Sequence, residues 1–282
     1  MIPRFKDIAA TPIADHAGAP LLQRAGSVAC LTFNRPAEHN RLDPADIDAL
    51  LPLLDRLAHQ ASTGAPGERP RALVLTGTGD RTFSSGYTLQ AIISTLDSRF
   101  ERMLDAIEEL PLTTILAFNG GVYGGATDLA LCCDIRIGVP GMRMFMPPAK
   151  FGLHYYPGGL RRYVSRLGLT AAKKILLTTM AIETEEMLRI GFLTDVVERS
   201  ALAERVEAYL AHIEATEPDV VAQMKRHLHL LARRDENAPE AAALQASMTQ
   251  AYEASLKSDA LRERVARLLG GGKEGGREKR EE

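Results

Sequence analysis

The chain has 282 residues, of which 45% are hydrophobic, and its formal net charge at pH 7 is −2. This length is enough for one large domain or for one domain with a helical appendage, and the nearly balanced charge gives no sign of nucleic-acid binding. The longest apolar runs are shorter than the roughly 20 residues of a membrane span, and the N-terminus lacks the apolar stretch of a signal peptide, so we expect no membrane partner.

Strand-like and helix-like segments alternate from the start of the chain. Residues 1–26 show weak periodicity, and we expect a variable N-terminal segment there. Residues 27–33 alternate in the manner of a strand. Asp43 is a candidate N-cap for the helix that follows, and Pro44 fits its first position because the proline ring presets a helical φ angle. We predict a loop over residues 61–70 after this helix.

The most informative stretch is a glycine-rich junction between a predicted strand and a predicted helix. The strand covers residues 113–118, glycines follow from Gly120 to Gly125, and Asp128 lies near the first turn of the helix. Glycines at such a junction leave backbone N–H groups uncovered, and the helix dipole adds partial positive charge there. This arrangement can hold a developing oxyanion beside a carboxylate that moves protons. Asp128 could also be an acid that only complements the helix dipole.

Two further glycine turns follow a predicted strand at residues 72–76. The first contains Gly77 and Gly79, but a dinucleotide-binding fingerprint would need a third glycine where the chain has Thr82, and no P-loop lysine follows. We therefore interpret it as a tight turn. The second contains Gly86 within residues 83–89. Two strand-end loops of one sheet can present two backbone N–H groups to the same point.

The remainder of the chain continues the alternation and then becomes helical. We predict strands over residues 135–139 and 194–197, and helices over residues 100–110, 160–167, 171–178 and 183–190, with Gly168 as a helix stop. From residue 201 to about residue 269 the pattern is helical, with apolar stripes that suit core or subunit contacts. The glycine-rich, charged residues 270–282 are expected to be disordered.

The three cysteines give information about the redox environment. Cys30, Cys132 and Cys133 fit neither a metal-binding spacing nor a disulfide framework. Cysteine on an apolar helix behaves as a small hydrophobic residue. We therefore predict buried free thiols and a cytoplasmic protein.

A series of short motifs runs in a consistent order from residue 28 to residue 197. They cover residues 31–36 with Asn40, 73–77, 83–86, 119–120, 124–125, 128–129, 133–136, 152–153, 157–159 with Arg162, and 191–193. No single motif is decisive, but their order is highly specific. Together they resemble the crotonase superfamily, which is also called the enoyl-CoA hydratase/isomerase family.

The resemblance implies an α/β fold, with a crotonase-like ββα spiral core around two nearly perpendicular sheets and a C-terminal α-helical trimerisation region. We accordingly assign residues 1–26 to a variable segment, 27–200 to the core with the active site, 201–269 to the helical region and 270–282 to a tail. The implied substrate is an acyl-CoA thioester of fatty acid metabolism, without any other cofactor and without a metal. The implied assembly is a homotrimer or a hexamer of two trimers.

The resemblance also implies the residues of the site. The oxyanion hole would use two backbone amides, which fall on Tyr87 and Gly125, and the adenine of coenzyme A would lie near Ser84. Asp128 occupies the position of a catalytic acid, and His154 lies in the loop that would supply a second acid–base group. The other predicted binding residues are Ser85, Gly86, Tyr123, Gly124, Tyr155 and Tyr156.

The match departs from the family at the second acid. Hydratases of the family carry two glutamates, and the second position falls on Ala149 here. One carboxylate could act twice, or His154, Tyr155 or Tyr156 could assist, although each also suits a packing or pocket-lining role. The sequence leaves open a hydratase-like lyase, which we rank first, a double-bond isomerase with one carboxylate, a hydrolase and a non-catalytic acyl-CoA-binding protein.

Overall fold

The computed structural model describes residues 9–12, 18–65, 67–88, 97–232 and 259 of the chain. The strands of this part are β1 (Ala9–Pro12), β2 (Leu21–Ala25), β3 (Val28–Phe33), β4 (Ala72–Gly77), β5 (Thr82–Ser84), β6 (Thr113–Ala117), β7 (Gly121–Tyr123), β8 (Ile135–Gly138), β9 (Arg143–Phe145), β10 (Ile182–Glu183) and β11 (Asp195–Val196). Its α-helices are α1 (Pro44–Thr63), α2 (Ser98–Glu108), α3 (Gly125–Cys132), α4 (Pro157–Thr178), α5 (Thr184–Arg189), α6 (Leu202–Glu214) and α7 (Pro218–Ala232). The tail predicted over residues 270–282 lies outside the described residues.

The larger sheet has seven strands in the order β1-β2-β3-β4-β6-β8-β11. The first three strands are antiparallel neighbours, and every pair from β3 to β11 is parallel. Along β4, Leu73 and Leu75 pack into the main hydrophobic cluster, whereas Val74 packs on the other face with Val206 and Leu210 of α6. Both faces of this strand are therefore covered, which explains why its sequence is a continuous apolar run.

The smaller sheet has four strands in the order β10-β9-β7-β5, of which β5, β7 and β9 are parallel. Each of these three follows a strand of the larger sheet along the chain. The run from β6 through β7 to α3 is thus one strand–strand–helix unit, and β4 with β5 begins another. The repeating unit of the predicted α/β fold is observed.

A buried ion pair connects β3 to α1 and fixes the loop between them. The Nη2 atom of Arg35, just after β3, donates to Oδ1 of Asp46 at 3.0 Å, and both side chains are buried. Asp46 also accepts from the backbone N–H of Asp43, which precedes Pro44 at the predicted helix start. The same loop carries Asn40, whose amide nitrogen donates to the carbonyl of Thr82 in β5 at 3.0 Å. The ion pair therefore also helps to position β5.

The predicted elements agree with the structure where the pattern is long. The strands predicted at residues 27–33, 72–76 and 113–118 are confirmed as β3, β4 and β6. Gly168, with φ +78°, interrupts α4 as predicted. The loop expected from residue 61 was wrong at its start, because α1 continues to Thr63 and buries Ala61 in the core.

Six strands of the described part were not predicted, namely β1, β2, β5, β7, β9 and β10. β7 and β9 each contain three residues and lie in segments interpreted as a turn and a loop. Three residues are too few to reveal a period of two. β2 lies within the segment expected to be variable, and it pairs with β3 over five positions.

The chain divides into two compact units, Met1–Pro218 and Asp219–Glu282. The first unit contains both sheets, and most of α7 belongs to the second. The domain boundaries assigned from the sequence stay predictions. None of the helices in the described ranges combines the length and apolar character that a membrane crossing requires.

The cysteines are confirmed as buried free thiols. Burial raises the pKa of Cys30 to about 11 and raises that of Cys132 as well. At the C-terminal end of α3, Cys132 and the following Cys133 donate to the backbone carbonyls four residues earlier, those of Asp128 and Leu129.

Candidate active site

Two turns meet at the carboxyl ends of β5 and β7. The two strands are parallel neighbours, with Thr82 opposite Gly121. Because parallel strands end at the same edge of a sheet, residues 85–87 after β5 lie beside Gly124 and the start of α3 after β7. The topology of the smaller sheet therefore brings together the two glycine turns singled out in the sequence.

The contact between these turns is too close for a side chain at Gly86. This residue has φ +82°, and a Cβ atom there would lie 2.8 Å from the backbone nitrogen of Gly125 and 2.8 Å from the carbonyl oxygen of Tyr123. Gly125 is equally confined, since its Cβ atom would lie 2.6 Å from Cζ of Phe100. The first N–H groups of α3 have no acceptor within the helix. The Gly86 turn is thus held against a helix N-terminus.

Hydrogen bonds from the preceding loop hold the Gly86 turn in place. The hydroxyl of Ser84 donates to the carbonyl of Asn40 at 2.7 Å and accepts from the N–H of Gly86 at 3.1 Å. The carbonyl of Gly86 accepts from the N–H of Leu42 at 2.8 Å. Ser84 is fully buried, so the structure gives it a role in shaping the turn.

A cavity of about 1070 Å³ opens beside this junction. Its wall includes the apolar side chains of Phe100, Phe145, Met146 and Leu153. The predicted site residues that line it are Ser85, Tyr87, Tyr123, Gly124, Gly125, His154, Tyr155 and Tyr156. Ser84, Gly86 and Asp128 are not among the described residues that line it. The structure therefore brings most of the predicted residues to one cavity and places the predicted acid behind its wall.

The carboxylate of Asp128 is fully buried and fully engaged. Its Oδ2 atom accepts from the hydroxyl of Tyr155 at 2.8 Å and from the hydroxyl of Tyr156. Its Oδ1 atom accepts from Nε of Arg162 at 2.8 Å. The two tyrosines line the cavity, so they stand between it and the carboxylate. The proton-transfer role of Asp128 stays a prediction, and this geometry favours Asp128 as the anchor of the tyrosines.

The hydroxyl protons of the two tyrosines are held firmly. Burial, and after it the negative charge of Asp128, raises the pKa of Tyr155 and of Tyr156 well above its ordinary value. Both phenols are therefore neutral hydrogen-bond donors at neutral pH rather than bases. Their rings are 4.7 Å apart and form one wall of the cavity.

Arg162 belongs to a second buried ion pair. Its Nη1 atom donates to Oε2 of Glu108 at 3.1 Å, and both side chains are fully buried. Glu108 also pairs with Arg161 at 2.7 Å and with Arg166 at 3.0 Å. Burial alone would raise the pKa of Glu108, but the hydrogen bond from Arg161 and the charges of the three arginines outweigh it and lower the pKa from 4.5 to about 2.

Other predicted residues lie at the rim. His154 is exposed at the cavity, where no hydrogen bond links its ring to the described residues. Tyr123 lies against the ring of Phe145, with ring centroids 5.0 Å apart. Within the described ranges, no three side chains of histidine, cysteine, aspartate or glutamate are grouped closely enough to hold a metal ion.

Sequence reasoning missed the functional context of two residues. Arg162 was only part of a motif, although it neutralises Asp128 from 34 positions away. Glu101 was not identified, although it lies in the first turn of α2 and lines the cavity. The helix predicted over residues 100–110 already placed Glu101 at a helix start, but no local pattern tells which helix faces the cavity.

The comparisons with known proteins agree on one family. The model of the family described as enoyl-CoA hydratase/isomerase matches residues 23–265. The chain is 27% identical over 216 residues to a short-chain-enoyl-CoA hydratase of Clostridium acetobutylicum, covering 74% of this chain and 80% of that protein. It is 30% identical over 211 residues to an (E)-benzylidenesuccinyl-CoA hydratase of Thauera aromatica, covering 73% of this chain and 80% of that protein.

A solved structure supports the same fold. The structure of DspI from Pseudomonas aeruginosa superposes with a TM-score of 0.79 at 24% identity, covering 92% of this chain and 96% of that one. The α/β fold class predicted from the resemblance is confirmed.

The close contact at Gly86 predicts a large difference between two glycine substitutions. Gly86→Ala and Gly141→Ala both force alanine to a positive φ angle, +82° and +76°, which costs about 1–2 kcal/mol. At Gly141 no atom lies within 4 Å of the new Cβ, whereas at Gly86 the clash adds about 1–3 kcal/mol. Urea unfolding should show that Gly86→Ala lowers the free energy of unfolding more than Gly141→Ala does. Equal losses would contradict the close approach of the two turns.

The low pKa of Glu108 predicts a specific loss of stability in acid. The pKa of Glu108 is lower in the folded chain than in the unfolded chain. The contribution of Glu108 to the free energy of unfolding is therefore fully present above pH 4.5 and disappears as the pH falls towards 2. The shift corresponds to about 3 kcal/mol. Urea titrations should show that the stability gap between the native chain and Glu108→Gln narrows over this range. The exposed control Glu185→Gln should run parallel to the native chain, and a constant gap for Glu108→Gln would refute the assignment.

Proposed function

Since the chain belongs to the enoyl-CoA hydratase/isomerase family, we propose that it is a hydratase-like lyase that adds water to the double bond of an enoyl-CoA thioester. The observation that carries this proposal is the junction at Gly86, where a tight turn meets the N-terminus of α3 at the wall of a large, mainly apolar cavity. An enoyl thioester needs this combination, because its acyl chain is apolar and its carbonyl oxygen becomes negative during the reaction.

The backbone N–H groups of Tyr87 and Gly125 are proposed to hold the thioester oxygen. The approach of Gly86 to the nitrogen of Gly125 supports this assignment, because Tyr87 directly follows Gly86. Backbone donors are already oriented when the enolate forms, and the loss of one such donor costs about 3–4 kcal/mol in the transition state. The N-terminal end of α3 adds partial positive charge at the same place.

The walls of the cavity are proposed to bind the acyl chain and the reacting carbons. Phe100, Phe145 and Met146 supply apolar surface. Tyr155 and Tyr156 supply a rigid wall, because Asp128 fixes both hydroxyls. Ser85, Tyr123 and Gly124 complete the set of cavity residues assigned to substrate binding, and His154, predicted as a second acid–base group, lines the same cavity.

A double-bond isomerase is the second candidate, and a specific observation favours it. Ala149, where hydratases of the family carry their second glutamate, lies exposed in the short turn Pro148–Phe151 and supplies no carboxylate. Moving a proton between two carbons of one substrate needs only one acid–base group. The substrate class and the enolate are the same in both reactions.

Purified protein should remove the absorbance of the conjugated thioester when it is mixed with crotonyl-CoA. Water addition breaks the conjugation of the double bond with the carbonyl, so the change reports hydration directly. A 3-enoyl-CoA that gains conjugated absorbance would instead identify an isomerase. If neither change occurs with enoyl-CoA thioesters of several chain lengths, the proposed function is wrong.

A trimeric, cytoplasmic enzyme without any other cofactor is proposed on the family resemblance. The exposed apolar side chains of α7 support subunit contacts, since Met224, Leu228 and Leu231 are 55%, 64% and 42% exposed. Apolar side chains grouped at helical spacing on a surface commonly mark an interface.

Light scattering coupled to size exclusion should give three or six times the mass of one chain. Leu228→Glu should lower this mass because it places a charge in the proposed interface. Gln223→Glu, at an exposed position of the same helix, is the matched control and should leave the mass unchanged. A native chain that elutes as a monomer at micromolar concentration would exclude the trimer.

A further inference from the structure

Two of the described residues that line the cavity carry a carboxylate, Asp97 and Glu101. Asp97 caps α2, and its oxygens accept from the backbone N–H of Arg99 at 2.9 Å and from its Nε at 3.0 Å. Asp97 is therefore committed to the helix start. Asp128, the acid predicted from the sequence, is committed to Arg162 and to two tyrosines.

Glu101 differs from both of these acids. Its carboxylate forms no hydrogen bond or ion pair with the described part of the chain. It is partly exposed, and the surface it meets is the cavity. A carboxylate that is unpaired and faces a substrate cavity is able to accept and return a proton, whereas a carboxylate saturated by donors is not.

The surroundings of Glu101 place it close to the reacting centre. Phe100 directly precedes Glu101 in the chain. Cζ of the Phe100 ring lies 2.6 Å from where a Cβ atom of Gly125 would be. On the other side, the Cβ position of Gly158 is 3.1 Å from Oε1 of Glu101 and 3.3 Å from Cε2 of Tyr156. The first turn of α2 therefore extends from the oxyanion junction to the tyrosine wall.

Gly158 also explains how a carboxylate fits at this point. A side chain at position 158 would occupy the space next to Oε1 of Glu101. Gly158 is the second residue of α4, and the N-terminal end of a helix carries partial positive charge that favours a nearby carboxylate. The site is thus open to the substrate on one side and electrostatically favourable on the other.

We propose that Glu101 is the catalytic acid–base residue of this enzyme, an inference that rests on the proposed hydratase function. The oxygen of water forms a bond to the β-carbon, and one water proton passes to the carboxylate of Glu101. The π electrons of the double bond move through the α-carbon to the thioester oxygen, which the backbone amides hold as an enolate. The enolate then reforms the carbonyl, and its α-carbon takes the proton back from Glu101. The sum is the addition of one water molecule.

The substitution Glu101→Gln tests this role, because it removes the proton acceptor and keeps the shape of the side chain. With crotonyl-CoA we expect kcat to fall about 10²–10⁴-fold, which is the usual contribution of a general acid–base group. The affinity for the saturated thioester butyryl-CoA, which has no double bond to hydrate, should change less than about threefold, since Glu101 is not assigned to binding. Thermal unfolding should change little, because Glu101 has no hydrogen-bond or ion-pair partner in the described residues to lose and its interaction with a helix N-terminus contributes only about 0.3–1 kcal/mol. Glu185→Gln is the matched control, being an exposed glutamate in the first turn of α5.

A second measurement separates the role of Glu101 from the identity of the overall reaction. Exchange of the α-protons of butyryl-CoA in D₂O needs only the enolate and one base, and it should fall in Glu101→Gln by a factor similar to that of kcat. If the native chain exchanges these protons but hydrates nothing, the hydratase function fails, and loss of exchange in Glu101→Gln still supports Glu101. If Glu101→Gln keeps more than about one tenth of the native rate in either reaction, or if the native chain shows neither reaction, the inference is overturned.

Discussion

The Gly86 turn can touch the start of α3 only because Gly86 has no side chain. The backbone nitrogen of Gly125 lies only 2.8 Å from where a Cβ atom of Gly86 would be, and Cζ of Phe100 lies 2.6 Å from the Cβ position of Gly125. The rest of the site is arranged around this contact. The pairing of β5 with β7 brings the two turns to the same edge, and the Ser84 hydroxyl together with Asn40 holds the first turn with Gly86 at its positive φ angle. The part of the site that is proposed to hold the thioester oxygen is therefore built from backbone, and the Ser84 and Asn40 side of the turn keeps that backbone in place.

Charge is distributed unevenly around this backbone. Behind the cavity wall, Arg162 joins Asp128 to Glu108, and all three side chains are fully buried. The removal of one partner from such a cluster leaves a buried charge without compensation, which typically costs about 3–5 kcal/mol. Facing the cavity, by contrast, Glu101 is unpaired within the described residues. The site thus contains two carboxylates that are held by ion pairs, those of Asp128 and Glu108, and one that is unpaired in the described part of the chain, that of Glu101. The number of hydrogen-bond donors around each carboxylate distinguishes them better than their positions along the chain do.

Local patterns were sufficient to predict much of the architecture. Alternation identified β3, the Asp43 and Pro44 pair marked the start of α1, and glycine marked both turns of the site. The three-residue strands β7 and β9 could not be predicted, because a segment of three residues is too short to show the two-residue alternation of a strand. The direction of the Asp128 side chain could not be predicted from the sequence for another reason. It depends on Arg162, which lies 34 residues later on a different helix, and nothing in the sequence near Asp128 indicates that partner. Glu101 was overlooked for the same reason, since it faces the cavity only because α2 packs beside α3.

The burial of Cys132, the last residue of α3, has a chemical consequence if the substrate is a thioester. A thiolate exchanges readily with a thioester, whereas a protonated thiol does not. Cys132 is buried, its pKa is raised, and its proton points to the carbonyl of Asp128. Cys132 is therefore held in an unreactive form on the helix that presents its N-terminus to the acyl group. The enzyme thereby avoids acylating itself at Cys132, and this thiol should also resist alkylating reagents until the chain unfolds.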